Sequence, residues 1–151
     1  MLPKWHILFG FVFSYILVYF FRFSLLSGLI IFLSSILIDI DHYFYYMIKY
    51  NYYNPFTFYE KAIARTKTLN KLSYSEKRKY KLGIFIFHGI EFWIILISLS
   101  FWHNFFLFIL IGVFIHMIAD IPDEIYHQFP FYSKISPIYT LIKNSKKQEF
   151  K

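Results

Sequence analysis

Cysteine is absent from the 151 residues, which excludes disulfides and thiolate metal sites and leaves imidazoles and carboxylates as the ligands to look for. Charge is scarce too, at 17% of residues, and none at all lies between Phe23 and Ile38. No Pro-Ser-Gly-His element occurs, so a lipid phosphatase of the acid-phosphatase type is removed. Six histidines are too few for the clusters of a di-iron lipid desaturase. What the chain has in quantity is apolar side chain, 58% hydrophobic and 25% aromatic, which is too much for an ordinary soluble domain of this length. The net charge of +7 does not point to nucleic acid, because Lys and Arg sit beside apolar runs, as contacts with anionic lipid head groups and topology signals do.

These features predict one all-α integral membrane domain over 1–151: a four-helix transmembrane bundle, an interfacial segment between helices two and three, and a C-terminal cytoplasmic tail. The expected spans are about 5–21, 23–40, 82–102 and 105–120. The first could be taken for a signal peptide, but apolar character resumes at once after Arg22, which instead marks a tight hairpin. Residues 43–81 mix tyrosines (Tyr43, Tyr45, Tyr46, Tyr50, Tyr52, Tyr53) with Lys and Arg, a composition suited to the head-group level. Within them, Asn54-Pro55 marks a turn, Thr57 to Leu69 a short surface helix, and Ser73 or Ser75 a further helix start with Glu76 in its first turn. Trp102-His103-Asn104 connects the last two spans. Pro122-Asp123-Glu124 reads as a new helix start with a solvated first turn, and 122–151 as a tail ending in a basic stretch, Lys143 to Lys151.

Four spans put both termini and the long middle segment on one side, and every Lys and Arg except Arg22 with them, so that side is expected to be cytoplasmic. Starts of odd helices and ends of even helices then share one membrane face. His6 begins span one; Asp39, Asp41 and His42 end span two; His88 and Glu91 begin span three; His116 and Asp120 end span four. A carboxylate carried into the bilayer on an apolar helix costs up to ~2.5–3.5 kcal/mol, so this layer needs a reason. Spacing supplies one. His88 with Glu91 is an i, i+3 pair and His116 with Asp120 an i, i+4 pair, each able to aim two ligands at one point. Four carboxylates match the charge of two divalent cations, and mixed imidazole and carboxylate ligands suit zinc, manganese or iron. The expected metal ligands are His6, Asp39, Asp41, His42, His88, His116 and Asp120, with Glu91 and Asp41 as candidate catalytic groups. His103 lies on the opposite face and is read as structural.

The ordered set of His6 with Gly10, Asp-x-Asp-His at 39–42, His88, and His116-x-x-x-Asp120 resembles the YdjM-like, membrane-bound metal-dependent hydrolases. The resemblance covers about residues 5–120. The family's Pro before the first Asp is replaced here by Ile38, and its Arg-x-x-Thr-His-Ser element survives only as Phe87-His88. A fainter similarity through His-x-x-x-Asp leads to zinc-dependent phospholipase C and P1-type nucleases, which implies cleavage of a lipid or lipid-linked phosphoester at the cytoplasmic interface. The competing readings are a divalent-metal transport or sensing protein using the same ligands, and a structural membrane protein whose polar layer holds no metal. Against transport, the outer half offers only His103 and Arg22, with no polar path across.

Overall fold

The computed structural model describes residues 3–51, 53–128, 130 and 132–149. Tyr52 of the interfacial tyrosines and Lys151 of the basic tail lie outside the described residues. The fold is all-helical: α1 (Pro3–Tyr19), α2 (Leu25–Leu37), α3 (Ile40–Tyr50), α4 (Pro55–Asn70), α5 (Tyr74–Lys77), α6 (Ile90–Ser100), α7 (Asn104–His127), α8 (Tyr132–Ile135) and α9 (Pro137–Asn144). Among the described residues no strand forms, and the one ladder fragment is the parallel bridge between Tyr80 and Gln148. The chain makes two compact units. One comprises the segment through Ile38 with Ile90–Asp123, the other Asp39–Gly89 with the chain from Glu124 onward.

In the first unit α1 packs on α2 after the expected tight turn, where Arg22 takes a left-handed φ of 59° and Ser24 caps α2 through the Ser27 N–H. The faces turned inward are small and polar. α1 buries His6, Gly10 and Ser14 at intervals of four, while α2 buries Ser27, Gly28, Ile31 and Ser35. A Cβ on Gly10 would lie 2.1 Å from Ser35 Oγ, and one on Gly112 of α7 would lie 2.4 Å from the Ile31 carbonyl, so the helices touch through backbone. The bulky residues point the other way, with Phe11, Leu25, Leu26 and Leu29 exposed. Close approach through small residues, with large apolar residues outside, is how helices pack in lipid rather than in water.

Two helical stretches, Leu25–Tyr50 and Asn104–His127, are long and apolar enough to cross a membrane, and only a third of each apolar window is buried. The expected span 82–102 is corrected: its helix starts only at Ile90 and has 11 residues, a rise of about 16 Å against a hydrocarbon core of about 30 Å. The residues before it are pulled out of helix by their partners. Asn144 takes both the N–H and the carbonyl of Leu82, Gln148 takes the Lys81 N–H, and Asp41 takes the Phe87 N–H.

Two further expectations change. Pro122 does not open a new helix but lies inside α7. The ring removes an N–H that would bond Ile118 and costs ~3 kcal/mol in a helix interior; here both residues lie on the exposed side of α7. The region 122–151 is also more than a solvated tail, since α9 buries Thr140 and Asn144. The helix expected over Thr57 to Leu69 forms as α4, two residues earlier, at Pro55 behind an Asn54 cap, and of the two candidate starts Ser73 is the one used, forming a capping box with Glu76.

Candidate metal centre

In the second unit the site is built where α2 gives way to α3. Residues 38 and 39 tighten into a turn, with the His42 N–H on the Asp39 carbonyl at 3.0 Å. A tighter turn than the α-helix brings Asp39, Asp41 and His42 towards one point, which straight helical spacing would not do for Asp41. From the segment before α6 comes His88, 1% exposed. Its Nδ1 lies 3.1 Å from Asp41 Oδ2, the oxygen that also accepts the Phe87 N–H at 3.0 Å. With Nδ1 held there as donor, Nε2 is left facing Asp39 Oδ1 at 3.6 Å, and His42 Nε2 reaches the same Oδ1 at 3.5 Å.

Those two separations are long for charge-assisted hydrogen bonds, which settle at about 2.7–2.9 Å. They suit ligands of one ion, because donors 2.0–2.1 Å from a tetrahedral zinc stand roughly 3.3–3.4 Å apart. Asp39, His42 and His88 each offer a ligand atom, all within 4.8 Å of one another. That same His42 Nε2 and one further atom, Asp41 Oδ1, are buried without a hydrogen bond and stand 3.9 Å apart. Buried polar groups in that condition are rare and call for an ion or water. Burial alone would lower the pKa of His88, yet its contacts with Asp39 and Asp41 outweigh burial and raise it. The two carboxylates thus favour positive charge at this ring. These buried His and Asp groups can hold a metal ion.

In the first unit a second group forms. Asp120 of α7 stands with Oδ1 3.2 Å from His6 Nε2 and Oδ2 3.5 Å from His116 Nε2. The two imidazoles stack with centroids 4.0 Å apart. His116 Nδ1 lies 2.8 Å from the Ser35 carbonyl, a contact that makes Nδ1 the donor and Nε2 the lone-pair nitrogen. Glu91 sits half-buried in the first turn of α6, in this same unit.

Asp39, Asp41, His42 and His88 are thus brought together in the second unit, and His6, His116 and Asp120 in the first, where Glu91 also lies. Asp120 does not end its helix as the sequence suggested but lies inside α7. Glu124, expected in a solvated turn, is buried and paired with Lys134 at 3.1 Å. The His127 carbonyl accepts from the buried Lys77 ammonium, which caps the end of α7. Sequence reasoning missed Phe85, whose ring lies 3.8 Å from that of His42 and fixes its plane. It missed the Ser35 carbonyl too, since backbone oxygens leave no residue signature. No family model matches the chain, and neither a curated protein nor a solved structure matches it.

Proposed function

We propose that the chain is a membrane-embedded, metal-dependent hydrolase, YdjM-like, acting on a lipid or lipid-linked phosphoester at the cytoplasmic interface. The observation that carries this reading is Asp39 Oδ1 standing 3.5 and 3.6 Å from two imidazole nitrogens, beside the unsatisfied Asp41 Oδ1. Asp39, His42 and His88 would hold one divalent ion, and His6, His116 and Asp120 offer the ligands for a second. A metal so held supplies Lewis acidity and lowers the pKa of bound water towards neutrality. The chain's own residues do the rest. Asp41 Oδ2 orients His88 and keeps its Nδ1 protonated, Phe85 holds the His42 ring, and Glu91 is the candidate base. Zinc, manganese or iron fits such ligands better than calcium.

The membrane placement draws support from the two long apolar helical stretches and from the small, polar inward faces of α1 and α2. In the proposed four-helix transmembrane bundle α1 and α6 are the short members and require a locally thinned bilayer. The lysine-rich segments support termini on the cytoplasmic side.

The deciding measurement is metal content of detergent-purified protein by plasma mass spectrometry, with an Asp39→Ala, His116→Ala double variant in parallel, followed by a phospholipid hydrolysis screen. Transition metal in the wild type that is lost in the variant, with hydrolysis lost alongside it, supports the reading. A folded protein that takes up no zinc, manganese or iron would end it. Bound metal without hydrolysis, with metal uptake into reconstituted vesicles, would instead make the protein a transporter.

A further inference from the structure

α9 is amphipathic the wrong way round for a helix closing a soluble domain. Its inward face is polar: Thr140 is fully buried and bonds the Ser136 carbonyl at 2.8 Å, and Asn144 clasps Leu82 with its Oδ1 on the N–H at 3.0 Å and its Nδ2 on the carbonyl at 2.9 Å. Its outward face is apolar. Ile138, Leu141 and Ile142, spaced i, i+3, i+4, are 60, 61 and 60% exposed. The polar contacts fix which side faces in, so the apolar row cannot turn to the core without breaking them. Just past it come Lys143, Lys146 and Lys147, while Glu149, the acid nearest them in sequence, is held by Lys49 and Lys81.

We propose that α9 is an interfacial anchor, with Ile138, Leu141 and Ile142 inserted among the acyl chains of an anionic leaflet and the lysines beside its C-terminus at the phosphate level. An apolar row beside cationic residues is the pattern of helices that lie in the plane of a bilayer. The basic flank matches an anionic lipid surface. A second copy of the chain is a poorer occupant, because three side chains fall far short of the ~800 Å² per partner that a stable dimer buries. The inference rests on the reading of the chain as membrane-embedded and adds to it that the C-terminal region is bound to the bilayer.

The absence of cysteine makes the test clean. Single variants Ile138→Cys, Leu141→Cys and Ile142→Cys carry a nitroxide, with Leu29→Cys on the exposed side of α2 as a lipid reference and Ser75→Cys as a water reference. The protein is placed in nanodiscs of mixed zwitterionic and anionic lipid. Collisions are read with oxygen, which concentrates in the bilayer, and with a nickel chelate, which stays in water. The expected result is that all three labels behave like the one at Leu29, and that neutral lipid alone shifts them towards the chelate. Chelate access equal to that at Ser75, with the Leu29 label still lipid-exposed, overturns the anchor while leaving the membrane reading intact. If the Leu29 label is itself water-exposed, the membrane reading fails instead. Low access to both reagents, or spin–spin broadening between copies, overturns the anchor in favour of a protein partner.

Discussion

The Nδ1 of His88 and the Oδ2 of Asp41 lie 3.1 Å apart, and that oxygen also accepts the Phe87 N–H at 3.0 Å, so one buried carboxylate fixes both the ring and the backbone that carries it. Carboxylates that orient a ligating imidazole in this way typically matter 10–100-fold for metal affinity. Asp41→Asn preserves the shape but removes the charge that keeps Nδ1 a donor. Its metal affinity, measured by competition with a chromogenic chelator, is expected to fall by ~10–100-fold. Affinity equal to wild type would show that His88 needs no such partner.

A second prediction concerns the contact of α7 with α2. A Cβ on Gly112 would meet the Ile31 carbonyl at 2.4 Å and Ser34 Oγ at 2.1 Å, and the first of these is backbone. Ser34 is itself tied to the Ile30 carbonyl at 2.7 Å. Gly112→Ala is therefore expected to destabilise by ~1–3 kcal/mol, as overpacking does. Gly28→Ala is milder, because its nearest backbone atom is 3.8 Å away and only the Val18 side chain, at 2.4 Å, must move. Thermal unfolding midpoints in detergent order the two. Gly28→Ala being the more damaging would mean that α7 does not sit this close to α2.

The sequence made legible whatever is written in side chains at short range. Arg22 as a tight turn, a short helix after Asn54-Pro55 and a helix start at Ser73 all follow from residue chemistry within a few positions. The buried His and Asp residues that could hold a metal ion drew notice for a related reason: ionisable groups at the ends of apolar runs are expensive, and so informative. What stayed hidden is long-range. Leu82 to Gly89 reads as apolar helix, but Asn144 and Asp41, each more than 40 positions away, take backbone groups of Leu82 and Phe87. Pro122 reads as a helix start, although the helix passes through it.

The third prediction is for acid pH. Glu149 is held by Lys81 at 2.9 Å and Lys49 at 3.0 Å, and hydrogen bonds from Lys81 first and Lys49 second keep its carboxyl below the usual range. A depressed folded-state value means that the clasp contributes fully above the unfolded pKa of about 4.3 and is lost as pH falls through the folded one. The side chain is 50% exposed, so each pair is worth at most about 1 kcal/mol. Carbon-detected NMR of the carboxyl is expected to give a midpoint below ~4.3, moving up in Lys81→Gln. A midpoint unmoved by that substitution would show that the clasp does not form in solution.

The last prediction separates donor from acceptor in the amide that holds α9. Asn144 and Leu82 are both 7% exposed, so Asn144→Ala leaves a buried N–H and a buried carbonyl unpaired, at ~1–3 kcal/mol each. Asn144→Asp keeps the acceptor for the N–H but sets a charged oxygen against the carbonyl at the 2.9 Å position of Nδ2. At neutral pH it is expected to be at least as unstable as Asn144→Ala. Protonation restores a donor, so the introduced carboxyl must have a raised folded-state pKa, and its destabilisation is relieved as pH falls through that value. Both variants lose the Glu149 clasp equally in acid, which makes Asn144→Ala the baseline for Asn144→Asp. Thermal midpoints of the pair are expected to cross as pH is lowered. Curves that stay parallel would mean that the Leu82 carbonyl finds another donor, and that the grip on α9 is one hydrogen bond rather than two.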